Sequence, residues 1–152
     1  MATTRRDDFF MCMYAPTLRR MVYLLCFDPR RRLLLTSGTP PAGGGVPTLP
    51  VIRCLERETY ERAARRLLSG RSVRRGDVVA RVRAAPFPGG GYREARIYTA
   101  HSLAPQADLE GCWIPWRDAV QDLGHLEIPE LAVFVEGYLG GWIPDGWITL
   151  EP

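Results

Sequence analysis

The sequence predicts one α/β domain in which strands and helices alternate along the chain. Several short segments of apolar or alternating residues are separated by glycine and proline turns, which is typical of strands. One long segment and two later ones carry apolar residues at helical spacing. A chain of 152 residues that is 46% hydrophobic is long enough to bury one core. We therefore expect a single domain over residues 1–152, with residues 1–8 as a flexible start.

The first part of the chain predicts strands and a long loop. Phe9–Tyr14 is short and apolar and is compatible with an edge strand. Met21–Phe27 and Arg32–Thr36 flank an Asp-Pro turn and predict a β-hairpin, and their dense apolar content suggests strands covered on both faces. Residues 37–50 are rich in proline and glycine and predict a long loop, a kind of segment that often carries function.

An amphipathic helix is predicted over Cys54–Ser69. Its apolar stripe has the spacing i, i+3, i+4, i+7 and i+8, and consists of Tyr60, Ala63, Ala64, Leu67 and Leu68. Gly70 is expected to end this helix.

The second half of the chain predicts three strands, two short helices and an irregular tail. The strands are Asp77–Arg83, Tyr92–Ser102 and Gly111–Trp116, with a turn at Pro86–Gly91. The helices are Arg117–Leu123 and Pro129–Leu139, and the tail is Gly140–Pro152.

Composition and charge exclude several classes of protein. The basic residues number 20 and all are arginines, which is typical of a GC-rich bacterial genome, and the net charge is only +3. Acidic residues are interspersed with the arginines, so a nucleic-acid-binding face is not expected. The cysteines are far apart, which excludes the usual zinc and redox spacings and predicts buried, reduced thiols; they are Cys12, Cys26, Cys54 and Cys112. Without a signal peptide or a long apolar run, a cytoplasmic protein with no membrane partner is expected.

The helical segment also carries a recognisable spacing. Glu58 and Arg66 are separated by seven residues, Ala63-Ala64 lies between them, and Leu68 follows Arg66 by two positions. The elements follow the order hairpin, Gly/Pro loop, helix, strands, Trp-Ile-Pro strand end and closing helix. Together these features resemble the Nudix superfamily over nearly the whole chain. The resemblance implies a Nudix-like α/β/α sandwich with a mixed central sheet.

The same resemblance exposes a gap in the family signature. That signature is Gly, five residues, Glu, seven residues, Arg-Glu, an aliphatic, any residue, Glu-Glu, any residue, Gly, and its remaining acidic positions fall on Leu67, Gly70 and Arg71. Family hydrolases use these carboxylates to hold Mg²⁺ against a diphosphate. The glycine-rich stretch Pro41–Gly45 lies 12 residues before Glu58 rather than five, so the loop has an insertion or the register differs. The resemblance therefore implies a degenerate Nudix box with no metal cofactor.

Two groups of residues are candidates for the site. The catalytic candidates are Glu58, Glu61 and His101, and the ligand-binding candidates are Arg62, Arg65, Arg66, Tyr98 and Trp113.

Each candidate has a structural alternative. Glu58 is either a surviving metal ligand or, as we favour, the ion-pair partner of Arg62 or Arg66. The arginines give the helix a cationic side that favours an anionic ligand, or they are plain surface charge. His101 is a general base at a strand end or a structural histidine. The aromatic residues stack a flat ligand or belong to the core.

Three functions follow as hypotheses. The leading one is a protein that has lost Mg²⁺-dependent diphosphate hydrolysis and binds or transforms a small anionic or nucleotide-like ligand without a metal. The second is an active hydrolase of a nucleoside diphosphate derivative with relocated carboxylates, which would use Mg²⁺; the candidates are Glu56, Glu61, Glu94 and Glu136. The third is a non-catalytic interaction module or homodimer that uses the tryptophan-bearing tail. The sequence leaves open whether the protein catalyses any reaction.

Overall fold

The computed structural model describes residues 17–37, 46–86, 90–103 and 111–151. The expected flexible start, 1–8, and the expected strand at Phe9–Tyr14 lie outside the described residues. The helices are α1 (Tyr60–Leu68), α2 (Trp116–Asp122) and α3 (Leu131–Leu139), with a 3₁₀ turn at Gly124–Leu126. The strands are β1 (Leu18–Phe27), β2 (Arg32–Ser37), β3 (Pro47–Thr48), β4 (Val51–Arg53), β5 (Val73–Pro86), β6 (Tyr92–Ser102), β7 (Cys112–Pro115) and β8 (Gly146–Leu150).

The strands form one mixed sheet in the order β3-β2-β1-β6-β5-β8, with β4 beside β1 and β7 beside β2. The β1/β6 and β5/β8 pairs are parallel, and the other pairs are antiparallel. Helix α1 packs on one face of the sheet, and α2 and α3 pack on the other. The predicted α/β/α arrangement with a mixed central sheet is confirmed.

Strand β1 has both faces covered. Val22 and Leu24 pack on the α1 side, whereas Tyr23 and Leu25 pack on the α3 side. Because successive side chains of a strand point to opposite faces, a strand buried on both sides is apolar throughout its length. This explains the dense apolar content from which the hairpin was predicted.

The hairpin turn is held by Asp28. Its Oδ1 accepts hydrogen bonds from the backbone N–H groups of Arg30 and Arg32 at 3.0 and 2.8 Å, and its Oδ2 accepts from Arg32 Nε at 2.6 Å. Asp is favoured in such turns because its short side chain can satisfy the backbone locally. The predicted β-hairpin is confirmed.

Helix α1 begins later than predicted, at Tyr60 instead of Cys54. The hydroxyl of Thr59 accepts a hydrogen bond from the backbone N–H of Arg62 at 3.1 Å and caps the helix. The residues before it form a turn in which Arg20 donates to the carbonyl oxygens of Glu58 and Leu55 at 2.7 and 2.9 Å. The predicted start at Cys54 was wrong because the spacing of apolar residues does not show which residue caps the helix.

Two segments expected to be irregular contain strands. Pro47–Thr48, within the predicted loop at 37–50, pairs with β2 as β3. Gly146–Leu150, within the predicted irregular tail, pairs in parallel with β5 as β8. In β8 the side chains of Trp147 and Thr149 are exposed, while Leu150 is buried. The sequence prediction missed strand β8 because its alternation is short and follows the turn-forming sequences Gly-Gly and Pro-Asp-Gly.

The predicted burial of the cysteines holds in part. Cys26 and Cys54 are buried free thiols, whereas Cys112 is exposed on β7, so the prediction was wrong for Cys112. Cys12 lies outside the described residues. No helix in the described part of the chain is long and apolar enough to cross a membrane.

Candidate functional site

Glu58 is held in place by Arg66. Arg66 Nη2 lies 2.8 Å from Glu58 Oε1 and Arg66 Nε lies 3.1 Å from Oε2, while the backbone N–H of Leu55 also donates to Oε1 at 3.1 Å. The hydrogen bonds from Arg66 and then from Leu55 hold the pKa of Glu58 below its usual range. Arg66 Nη2 also donates to the carbonyl of Arg53 at 3.0 Å, so the pair ties β4 to α1. The ion pair favoured from the sequence is present, with Arg66 as the partner.

The end of α1 is built from an apolar side chain, a glycine and a guanidinium group. Leu67 is 8% exposed and packs in the core between α1 and the sheet. Gly70 has φ +75°, the left-handed conformation that ends helices. Arg71 Nε donates to the carbonyl oxygen of Leu67 at 2.9 Å and so caps the last turn. These are the positions at which the Nudix signature, counted from Glu58, places its remaining carboxylates.

Counted from Glu58, the first glycine of this signature falls on a strand residue. With five residues between it and Glu58, this position is Ile52, which lies in β4 and pairs with Val22. Pro41–Gly45, the glycine-rich stretch noted in the sequence, lies outside the described residues. Across the described ranges, no three His, Cys, Asp or Glu side chains cluster closely enough to hold a metal ion.

Glu61 belongs to a second arginine pair on the α1 side. Its two carboxylate oxygens accept hydrogen bonds from Arg75 at 2.7 and 2.8 Å. The guanidinium carbon of Arg75 also lies 4.7 Å from the ring centre of Tyr98, whose hydroxyl is 3.5 Å from Glu61 Oε1. The hydrogen bonds from Arg75 lower the pKa of Glu61.

His101 lies on the opposite face of the sheet from Glu58 and Glu61. Its Nε2 is 2.6 Å from the hydroxyl oxygen of Tyr138 on α3, and its ring lies 6.0 Å from that of Phe27. Burial, and secondarily the charge of Arg74, lower the pKa of His101. The structure therefore does not bring the three predicted catalytic residues together.

The predicted ligand-binding residues are also divided. Arg62 and Arg65 are exposed on the solvent side of α1, and Arg66 is engaged by Glu58. Tyr98 is 1% exposed, and Trp113 packs against the same α1-side core. No two of these side chains line the same cavity among the described residues.

A small cavity rich in arginine lies on the α3 side, where the sequence had indicated nothing. It has a volume of about 160 Å³ and is lined by Arg19, Met21, Tyr23, Arg53 and Arg93. Arg93 is only 9% exposed and donates to the carbonyl oxygen of Leu126 at 2.6 Å. Burial raises the pKa of Tyr23, and the charge and hydrogen bond of Arg93 oppose that rise.

Period-two alternation could have found this cavity. Arg19, Met21 and Tyr23 alternate along β1, and Arg19 lies opposite Arg93 in the parallel β1/β6 pair. Arg53 also lines a larger groove of about 520 Å³ formed by the start of β1 and the β4–α1 turn. The sequence prediction missed this site because it started the first strand of the hairpin at Met21, three residues after the observed start at Leu18.

Solved structures share this architecture. An Ap4A hydrolase from C. elegans, solved as a binary complex, has a TM-score of 0.65 at 16% identity, over 81% of this chain and 98% of that one. A MutT protein from Methanosarcina mazei Go1 has a TM-score of 0.58 at 14% identity, over 84% and 96%. The Nudix hydrolase RenU from M. smegmatis has a TM-score of 0.55 at 18% identity, over 80% and 84%. This chain has a Nudix-like fold. No family model and no curated protein sequence matches it.

The Nudix-like fold raises the question of whether the residues at the end of α1 could hold a magnesium ion. A magnesium site at the end of that helix needs several oxygen ligands. Leu67 offers none, Gly70 has no side chain, and Arg71 carries a positive charge. The donor set at these positions therefore does not fit a divalent cation.

Proposed function

We propose that this protein binds, or transforms without a metal, a small anionic ligand on a Nudix-like fold that has lost Mg²⁺-dependent diphosphate hydrolysis. The proposal rests on the residues found at the end of α1. There Leu67 packs in the core, Gly70 reverses the chain, and Arg71 caps the last turn of the helix. None of these three residues has a side-chain oxygen that could bind a metal ion.

The charge of the cavity on the α3 side supports an anionic ligand. Arg19, Arg53 and Arg93 surround the phenol of Tyr23 in a space of about 160 Å³. Arginine donates several hydrogen bonds in a fixed plane, which suits carboxylate and phosphate groups. The similar structures include an Ap4A hydrolase, which favours a phosphate-bearing, nucleotide-like ligand. We place the ligand in this cavity, with Arg53 at the boundary to the larger groove.

The hypothesis of relocated carboxylates has less support. Glu61 is paired with Arg75, and Glu94 accepts a hydrogen bond from the hydroxyl of Tyr60 at 2.7 Å. Glu136 is exposed on α3, on the other side of the sheet from both. These acids do not form one cluster in the described part of the chain.

Calorimetric titration with ADP, in EDTA and then in Mg²⁺, tests the proposal. We expect the wild-type protein to bind ADP equally well in both buffers. Arg53→Gln should weaken binding roughly tenfold, because a hydrogen bond from a charged group is removed. Arg65→Gln is the matched control, since it removes the same charge from the exposed side of α1.

Two results would contradict the proposal. Binding that requires Mg²⁺ would mean that the ligand is taken up together with a metal ion, contrary to the proposal. Equal losses in Arg53→Gln and Arg65→Gln would mean that ADP responds only to overall charge.

A further inference from the structure

We infer a second anion-binding site on the α1 face of the sheet, which takes the phosphate group of a ligand that also carries a flat ring. It consists of Arg81 on β5, Arg96 on β6, and Trp147 and Thr149 on β8, and we call it the β8 site. It lies on the opposite face from the cavity of Arg19, Tyr23 and Arg93, so it is independent of the proposed function.

Aromatic rings and guanidinium groups alternate across this face. The guanidinium carbon of Arg96 lies 4.1 Å from the ring centre of Tyr60 and 4.7 Å from that of Trp147. The guanidinium carbon of Arg81 lies 5.4 Å from the same indole. These distances are within the range of cation–π attraction, which holds the guanidinium groups beside the rings. The sequence had suggested no such interleaved surface.

The two arginines carry positive charge that no carboxylate neutralises in the described ranges. Arg81 and Arg96 are direct partners in the antiparallel β5/β6 pair, an arrangement in which like charges repel. Neither forms an ion pair within those ranges. The nearby acids have other partners: Glu94 accepts from Tyr60, Glu61 pairs with Arg75, and Glu151 pairs with Arg83. An anion placed between Arg81 and Arg96 would relieve this repulsion.

Arg96 also has an unsatisfied donor. Its Nε is buried and has no hydrogen-bond partner among the described residues. A buried donor without an acceptor is costly, and native structures contain few. The indole of Trp147 stacks on this guanidinium group, so a ligand reaches Nε only when the indole moves. Trp147 is 54% exposed and lies on the last strand of the sheet order, where such movement is least restricted.

The donors and the ring define the class of ligand. Guanidinium groups from two neighbouring strands present more N–H donors than the two oxygens of a carboxylate need, whereas a phosphate offers three oxygens. Thr149 is exposed and lies directly beside Arg81 in the β5/β8 pair, where its hydroxyl adds a further donor. The exposed part of the indole can stack on a flat ring. These features fit a mononucleotide, with the phosphate between the arginines.

Nuclear magnetic resonance of the ¹⁵N-labelled full chain tests the site, with inorganic phosphate and AMP as probes. The indole N–H signal of Trp147 is assigned with Trp147→Phe, and the Nε–H signal of Arg96 is followed beside it. Both signals should shift and saturate with phosphate, and AMP should bind more tightly than phosphate. Arg81→Gln should weaken phosphate binding roughly tenfold, because one charged donor is lost.

Arg83→Gln is the matched control, since it removes an arginine two residues along the same strand that is already paired with Glu151. It should leave phosphate binding unchanged. Equal weakening in Arg81→Gln and Arg83→Gln would overturn the inference, as would equal shifts with acetate and phosphate, or no shift of the Trp147 and Arg96 signals. Signals of Arg53 and Arg93 report on the cavity of the proposed function, so failure at one site is distinguishable from failure at the other.

Discussion

At the scale of single residues, Glu58 has both carboxylate oxygens engaged. Arg66 and the backbone N–H of Leu55 supply three hydrogen bonds to them, and the residue is only 8% exposed. This arrangement joins β4 to α1 and leaves little of the carboxylate free for a metal. The sequence left Arg62 and Arg66 open as partners of Glu58. Arg66 is the partner because Glu58 lies in the turn before α1 and Arg66 lies about two turns into the helix.

His101 should make stability depend on pH. Its pKa in the folded protein is lowered from 6.5 by burial, so the unfolded chain takes up a proton first as the pH falls. Well above pH 6.5 both states are neutral and the group has no effect. Below it, the free energy of unfolding should fall until the pH reaches the lowered pKa.

Urea unfolding between about pH 7 and pH 5, on either side of the ordinary histidine pKa, measures this effect. The decline in the free energy of unfolding should be smaller in His101→Gln than in the wild-type protein. His125→Gln is the control, because His125 is exposed. An identical slope in His101→Gln and the wild type would contradict the assignment.

At the scale of elements, the end of α1 decides what this helix can do. The chain leaves the helix at Leu68, and Gly70 takes φ +75° with open space around the position that a Cβ atom would occupy. The end of α1 at Leu68 therefore leaves positions 70 and 71 outside the helix.

Gly70→Ala measures the cost of this conformation. A side chain is disfavoured in left-handed backbone, so the substitution should lower the free energy of unfolding by about 1 kcal/mol. Gly124→Ala is the matched control, because Gly124 also has open space around it but no positive φ. Chemical denaturation of both variants provides the comparison. A more stable Gly70→Ala protein would mean that the helix continues through this position.

Prediction from sequence succeeded where a pattern was long and regular. The strand Tyr92–Ser102 has the predicted bounds, and the hairpin forms around Asp28 as expected. Strand β8 was missed because its alternation covers only Gly146–Leu150 and is stabilised by pairing with a distant strand, β5. Such pairing depends on tertiary contacts that no local window of sequence contains.

At the scale of the whole molecule, the two faces of the sheet separate the candidate residues. Glu58 and Glu61 lie with α1, whereas His101 lies with α3, although Tyr98 and His101 are only three positions apart on β6. Assigning a face to each residue requires the register of the strand, because an error of one residue reverses every side chain. The sequence identified the Nudix-like fold, but it could not group the side chains into one site.

We propose that this protein, although it has a Nudix-like fold, has no Mg²⁺-dependent diphosphate hydrolase activity. The most direct measurement is the release of products from Ap4A and from nucleoside diphosphate compounds by the purified full chain, with Mg²⁺ and with EDTA. We predict no turnover that depends on Mg²⁺, and no difference between the wild-type protein and Glu58→Gln. Mg²⁺-dependent turnover by the wild-type protein would overturn this proposal, and its loss in Glu58→Gln would place the metal at that carboxylate.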